Sequence, residues 1–557
     1  MLNFIGVKLM IKFFLLLSAL GLFACSENKQ KDNRTVFKYN EIGNINSLDP
    51  VETSSSENSW AVNQLFNGLV QLDDSLRIKP CIAKSWEISD DGKSYTFHIR
   101  RDVYFHDNRV FAGGKGRVVK ASDFVFSFKR LFDPKISRAL SLVEVIQSDS
   151  SGNADMSAPN DSTLHIRLKK PFRPFINLLS MKFFSVVPEE AVNKLGNYFS
   201  KMPVGTGPFI FKKWDDSKIV LLKNKNYFEY EGKNRLPYVD AVNITFIKDK
   251  QSAFLQLMRG EIDMISGADA VNIDVLFDHE GRLNEEFQGK IQLQTCPYLK
   301  TDYFGFLIDD NIPGIKNSPV RMKTLRTAIN YAIDREKMMK FFRNNVGKPA
   351  RNGFVPPGLP GYPYNNIKGY DYKPEKVRQL LEEAGFPGGK NLPEITLHTT
   401  ENYSDLVEFI QAQLEKFNIK IKVTIEPARE LRKAIISNEY AFFKRSWVCD
   451  YPDPENFLFM FHSKNFSPVG QNYFHFKSEK FDEYYELAHK ESDEVKRNGY
   501  YAAMDQIIMD EAPVVPLFYD QVVRLLSNKV SGLSINPLNL PNLKTVQKRT
   551  QIKTGNN

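Results

Sequence analysis

One uncharged apolar run stands out among the 557 residues, Phe13 to Phe23. It is too short to cross a bilayer, which takes about 20 apolar residues. No later stretch approaches that length, so the rest of the chain is expected to fold as packed lobes in water and not as a membrane bundle. Lys8 and Lys12 precede the run, and Leu22, Phe23, Ala24 and Cys25 close it. That is the layout of a signal peptide cut before a cysteine that is then acylated. Phe23 stands where a small residue is usual, so plain secretion is the alternative. On the first reading residues 1–24 are a discarded lipoprotein signal and Cys25 carries the lipid. The polar, aperiodic residues 25–33 are then a flexible tether. The lipid would be the only membrane attachment, placing the protein in the periplasm or at the cell surface.

More than 500 residues follow. A single hydrophobic core rarely grows past about 250–300 residues, so two or more lobes are expected. Lys and Arg number 75 against 66 Asp and Glu, and the formal charge of +9 includes Lys8 and Lys12. Both signs are mixed along the chain, which describes a solvated surface and excludes a nucleic-acid stripe. Beyond Cys25, the cysteines Cys81, Cys296 and Cys449 are odd in number and far apart. At most one internal disulfide is allowed, and no zinc spacing is present.

Local patterns mix the two periodicities. Tyr95, Phe97 and Ile99 alternate with Thr96, His98 and Arg100, the mark of a half-buried strand, and Leu164, Ile166 and Leu168 repeat it. Leu325, Ala328, Ile329, Ala332 and Ile333 keep helical spacing, as do Val377, Leu380, Leu381 and Ala384 between Pro374 and Gly385. A strand over 394–399, a helix over 405–417 and a strand over 420–425 make a βαβ unit, so residues 300–515 are expected to be α/β with a parallel pair. Gly113 to Arg117 is basic and Gly-rich but lacks the setting of a phosphate loop, and reads as a surface hairpin.

Nothing in the chain assembles a catalytic centre. There is no Gly-x-Ser-x-Gly elbow and no His-Glu-x-x-His helix; His279 and Glu280 lack the second histidine. The eight histidines are dispersed. No enzyme, cofactor or metal is expected.

An ordered series of short motifs adds what periodicity cannot supply. Leu48, Asp49 and Pro50 are followed by Leu65, Phe66, Gly68 and Leu69, then by Pro80, Ile82, Ala83, Ser85 and Trp86. Tyr95, Thr96, Phe97 and Arg100 lead to Val103, Phe105, His106 and Asp107, and these to Ala121, Ser122, Asp123, Phe124 and Ser127. Gly205 to Phe209, Gly260 to Asp263, and Ala332 to Arg335 come next. From about Lys38 to Tyr519 the series resembles the family 5 (cluster C) solute-binding lipoproteins of ABC importers, in the oligopeptide- and dipeptide-binding branch.

The resemblance implies an α/β, two-lobed periplasmic-binding-protein fold (type II, cluster C) with an extra subdomain in lobe I. Lobe I would be residues 34–296 plus 519–557, with the subdomain at 79–199, and lobe II residues 297–518. The crossings near Cys296 to Tyr298 and Pro516 to Tyr519 would be the hinge. The implied partners are a short peptide, an ABC permease and its ATPase subunits, with the receptor a monomer. Asp450, in the segment Trp447 to Pro454, matches the aspartate that pairs with a peptide's α-ammonium. Trp447 and Ser446 share that segment, and Lys444 or Arg445 would meet the ligand carboxylate. Ser54 and Ser56 fall where relatives pair with peptide backbone as an added strand. The chain departs from the branch at Pro427 and Ala428, at Ala441 after Tyr440, and at Asn402, which leaves peptide length and side-chain preference open. The same fold also hosts receptors for nickel, haem or oligosaccharide, and peptide-sensing receptors without a permease.

Overall fold

Residues 34–53, 55–150, 152–267, 273–312 and 314–549 are described by the computed structural model. The expectations for the signal peptide, the tether, Cys25 and Ser54 lie outside the described residues. Among those described, no helix is long and apolar enough to cross a membrane.

Two long antiparallel strands, Ile291–Phe306 and Val514–Ser527, form the spine of an eleven-stranded sheet. Beyond the first lie Phe442–Val448, then Ile395–Thr399 and Ile421–Ile425. Beyond the second lie Met264–Ser266, Val36–Asn40, Ala241–Thr245, Lys218–Lys223 and Phe209–Trp214. The strand Val514–Ser527 is a nearly unbroken apolar run because it is covered on both faces. Only Asp520 and Gln521 interrupt its burial, and there the strand passes from one hydrophobic core to another. One core draws on residues 37–264 and returns at Leu526, Val530, Leu533, Leu543 and Val546, with Tyr451 its one member from elsewhere. Two others draw on residues 299–518, with Leu76 the exception.

The pairing of the two long strands breaks at the same level. Ile291 to Pro297 pair in register with Ser527 to Gln521; pairing resumes with Thr301 opposite Tyr519, and a second shift follows between Asp302 and Tyr303. Pro297 has no N–H to give to the ladder, and a bulge lets a strand bend. The irregularity therefore coincides with the crossings expected to act as a hinge.

The βαβ unit forms as its periodicity predicts, with Ile395–Thr399 parallel to Ile421–Ile425 and the helix Ser404–Glu415 between them. The helix Pro374–Glu383 starts with proline at its first turn, where a missing N–H costs nothing. Gly385, at φ 85°, follows its end. A separate four-stranded sheet runs in the order Ala83–Ile88, Ser94–Ile99, Thr163–Arg167, Met156–Asn160, and buries Tyr95, Phe97, Ile99, Leu164 and Ile166.

The motif series turns out to be architectural. Asp49 caps a short helical turn through Val51 N–H and pairs with Arg130 at 2.6 Å. His106 is buried and bonded to the Gly207 carbonyl at 2.9 Å, and its imidazole is pushed down to about 4 by desolvation, so it is neutral. Gly205 and Gly207 lie so close to the Leu65 backbone that a Cβ would sit 2.0 and 2.4 Å from it. The Gly-rich loop is a surface hairpin, closed by an antiparallel bridge between Tyr104 and Val118. Its cations are spent on neighbours, Lys115 on Asp107 and Arg117 on Asp123 and Glu190.

Candidate functional site

The strand Phe442–Val448 pairs antiparallel with Ile291–Phe306, setting Ser446 opposite Asp302, Arg445 opposite Tyr303 and Trp447 opposite Thr301. Strand alternation then sorts the side chains. Phe442 and Lys444 face the core that contains Phe304 and Phe306, while Phe443, Arg445 and Trp447 face the one that contains Tyr303 and Phe474. Along its other edge the strand meets Ile395–Thr399 only at Phe443 opposite His398. Past that point, among the described residues, the edge at Ser446 to Val448 has no strand beside it.

Lys444 is engaged within the protein. Its ammonium sits 2.6 Å from the fully buried Asp302 and over the Tyr403 ring at 3.6 Å. Lys300 also reaches Asp302, at 3.2 Å, and Asp520 at 2.9 Å; Asp520 in turn pairs with Arg343. Burial alone would raise the Asp302 carboxyl, but the two ammonium groups prevail and hold it well below the usual range. An ion so deeply placed needs its partner, so Lys444 has no free charge for a ligand. Of the two cations expected to meet a carboxylate, Arg445 alone is left: it lies over the Tyr473 ring at 4.6 Å, and its Nη1 is buried without a hydrogen-bond partner. The hydroxyl of Tyr303, its neighbour across the strands, is also unpartnered.

Past the strand, the chain turns through Asp450 to Pro454 into the short helix Glu455–Leu458. This returns Asn456, which is buried, to the residues it follows. Its Oδ1 accepts from Asp450 N–H at 2.9 Å and from Trp447 Nε1–H at 3.3 Å, and its side chain also bonds to the Asp450 carboxylate. The Trp447 ring packs edge-on to Phe459 at 5.5 Å. Asp450 keeps solvent contact, yet protein crowds it enough for desolvation to push its carboxyl up to about 6, against the Asn456 bond. Among the described residues no cation pairs with it. The result is a positioned, accessible carboxylate without an ion-pair partner among the described residues.

The opposite wall is less completely described. Ser55 caps the helix Ser56–Leu65, accepting from Asn58 N–H, so Ser56 is its first helical residue and not part of an extended segment. Tyr298, in the expected crossing, is half-buried. Desolvation, with the charges of Glu57 and Asp520 nearby, pushes its phenol up to about 12. Two more residues tie the Asp450 loop across to the first core: Tyr451 packs within it, and Asp453 accepts from Asn177 Nδ2 at 2.9 Å. Neither Asn456 nor Asn177 is visible as a site residue in the sequence. For Asn456 the only signal is its position just past the Pro-Asp-Pro turn.

Comparison with known proteins is consistent with this geometry. The profile of the bacterial extracellular solute-binding proteins, family 5, matches residues 77–468. Heme-binding protein A of Haemophilus influenzae is 29% identical over 500 residues, covering 85% of each chain. The dipeptide-binding protein of Escherichia coli K12 is 27% identical over 497 residues, covering 85% of this chain and 87% of its own. Among solved structures, the periplasmic binding protein DppA from Helicobacter pylori, in complex with the peptide STSA, is 29% identical. It superposes with a TM-score of 0.74 over 93% of this chain and 99% of its own.

Proposed function

We propose, from the premise that this chain belongs to family 5 of the bacterial extracellular solute-binding proteins, that it captures short peptides and hands them to an ABC permease. It is a receptor and not an enzyme. The two lobes, divided near residues 297 and 518, close on the ligand by bending at the irregular stretch of the two long strands. The lipid on Cys25 holds it at the membrane; after Cys25→Ser, cell fractionation should find it in the soluble fraction, and persistence in washed membranes would count against the anchor.

One observation carries the peptide reading: the Asp450 carboxylate, oriented by Asn456 and accessible, has no ion-pair partner among the described residues. A peptide α-ammonium supplies that partner, and the neighbouring unpaired edge at Ser446 to Val448 suits main-chain pairing. Arg445 takes the carboxylate end. The test is a double-mutant cycle by calorimetry. Asp450→Asn should cost about 2–5 kcal/mol of peptide binding, the range for losing one member of a buried charge pair. N-acetylating the peptide should cost the wild type as much and the variant little, because both changes delete one interaction. Additive losses would sink the assignment. A haem receptor is the second reading, favoured by the likeness to heme-binding protein A; saturable haem absorbance changes without competition by peptides would support it instead.

A further inference from the structure

Residues 344–347, Asn-Asn-Val-Gly, follow the helix Arg335–Arg343 and leave it through two consecutive left-handed residues, Asn344 at φ 43° and Asn345 at φ 60°. Asparagine adopts that backbone more readily than other residues with a Cβ, and here both amides reach a turn far away in sequence. Asn344, which is buried, donates through Nδ2 to Asp274 Oδ1 at 3.0 Å and to the Phe277 carbonyl at 3.2 Å. Asn345 Nδ2 donates to the His279 carbonyl at 2.7 Å. Val346 is the one buried member from residues 297–518 of a core otherwise drawn from residues 253–291, Val523 and Leu525. Gly347 donates its N–H to Gln521 Oε1 at 2.9 Å, and it lies so close to Tyr519 that a Cβ would sit 2.7 Å from that carbonyl. One short segment thus holds the turn at 274–281 and the crossing of the second long strand together.

A second seam joins the same two parts of the chain near the expected extra subdomain, and it is built differently. There Asn177 donates to Asp453, Arg173 N–H donates to the His489 carbonyl at 3.2 Å, and the Phe172 ring meets the His489 ring edge-on at 4.9 Å. Arg173 Nε and His489 Nε2 are buried at this seam without hydrogen-bond partners. Such atoms cost free energy while they are shut away from water, and parting the seam returns them to it. Among the described residues, no side-chain polar atom of 344–347 or 274–281 is buried without a partner. Parting that seam would instead strand the Asn344 amide and expose Val346.

We propose that residues 344–347 are a non-covalent pivot, which stays attached to the turn at 274–281 while the lobes part at the seam of Asn177 and Asp453. The inference rests on the closure proposed above and adds its axis. Two neighbouring strands alone can bend and twist; a third attachment beside them leaves rotation about one line.

Spin labels carried by unnatural amino acids, which leave the native cysteines in place, test this on the full mature protein without any ligand. Lys340 and Glu280 are exposed on either side of the pivot, and Lys170 and Lys490 on either side of the other seam. Pulsed electron resonance should give one narrow distance peak for the Lys340 and Glu280 pair, and a broad or double distribution for the Lys170 and Lys490 pair. Broad distributions for both pairs would overturn the pivot and leave closure standing. Narrow peaks for both would overturn closure itself, and the pivot with it. Asn344→Gly combined with Asn345→Gly keeps the left-handed turn and deletes both amides, so it should broaden the Lys340 and Glu280 distribution. An unchanged peak in that variant would also overturn the proposal. If the variant does not fold, the two distributions of the otherwise unaltered protein decide.

Discussion

At Asp450 folding and binding make opposite demands on one carboxylate. Its folded value, about 6, lies above the ordinary 3.8, so the empty protein loses stability as pH rises between them, where the folded state holds the extra proton. A bound ammonium favours the ionised form and lowers that value again. Peptide affinity should therefore be flat above pH 6 and fall about tenfold per unit below it, until the bound form also protonates. Asp450→Asn should remove the slope; calorimetry between pH 4.5 and 7.5 checks both. Asp450 is legible in sequence because it stands three residues after Trp447 in a recognisable segment. The commitment of Lys444 to Asp302 is not legible, since it depends on a strand pairing between residues 142 apart in the chain.

Among the elements, the loop from Tyr451 to Glu455 does the joining. It contacts the first core through Tyr451, and the Asn177 to Asp453 bond ties it to the part of the chain expected to form the extra subdomain. Under the proposed closure this bond forms only when the lobes meet. Asn177→Ala should then weaken peptide binding by about 1.4 kcal/mol, tenfold in Kd, without touching the ligand. Unchanged affinity would mean the bond persists in the empty state. Elements with strong periodicity, such as Ser94–Ile99 and Ser404–Glu415, are readable to within a residue or two because one face alone is buried. Val514–Ser527 is not, because a strand covered on both faces has no alternation to read.

For the molecule as a whole, cores on either side of the irregular stretch of the two long strands imply motion about that junction. Saturating peptide should reduce the radius of gyration by small-angle scattering and raise the melting temperature, since ligand binds only the native state. A ligand that binds without compaction would argue for a rigid receptor. The division itself was expected from length alone, whereas the side of each core on which the tail lies follows from Leu526, Val530, Leu543 and Val546 and from no local pattern.

The strand Val514–Ser527 lies in the middle of the sheet and near the end of the chain. Until it has been synthesised, Ile291–Phe306 and Met264–Ser266 each present an edge with no neighbour, and the first core lacks its final members. Contacts of such high sequence separation form late. One late strand thus closes two open edges at once, and the two sides of the large sheet become a single sheet only when it docks between them.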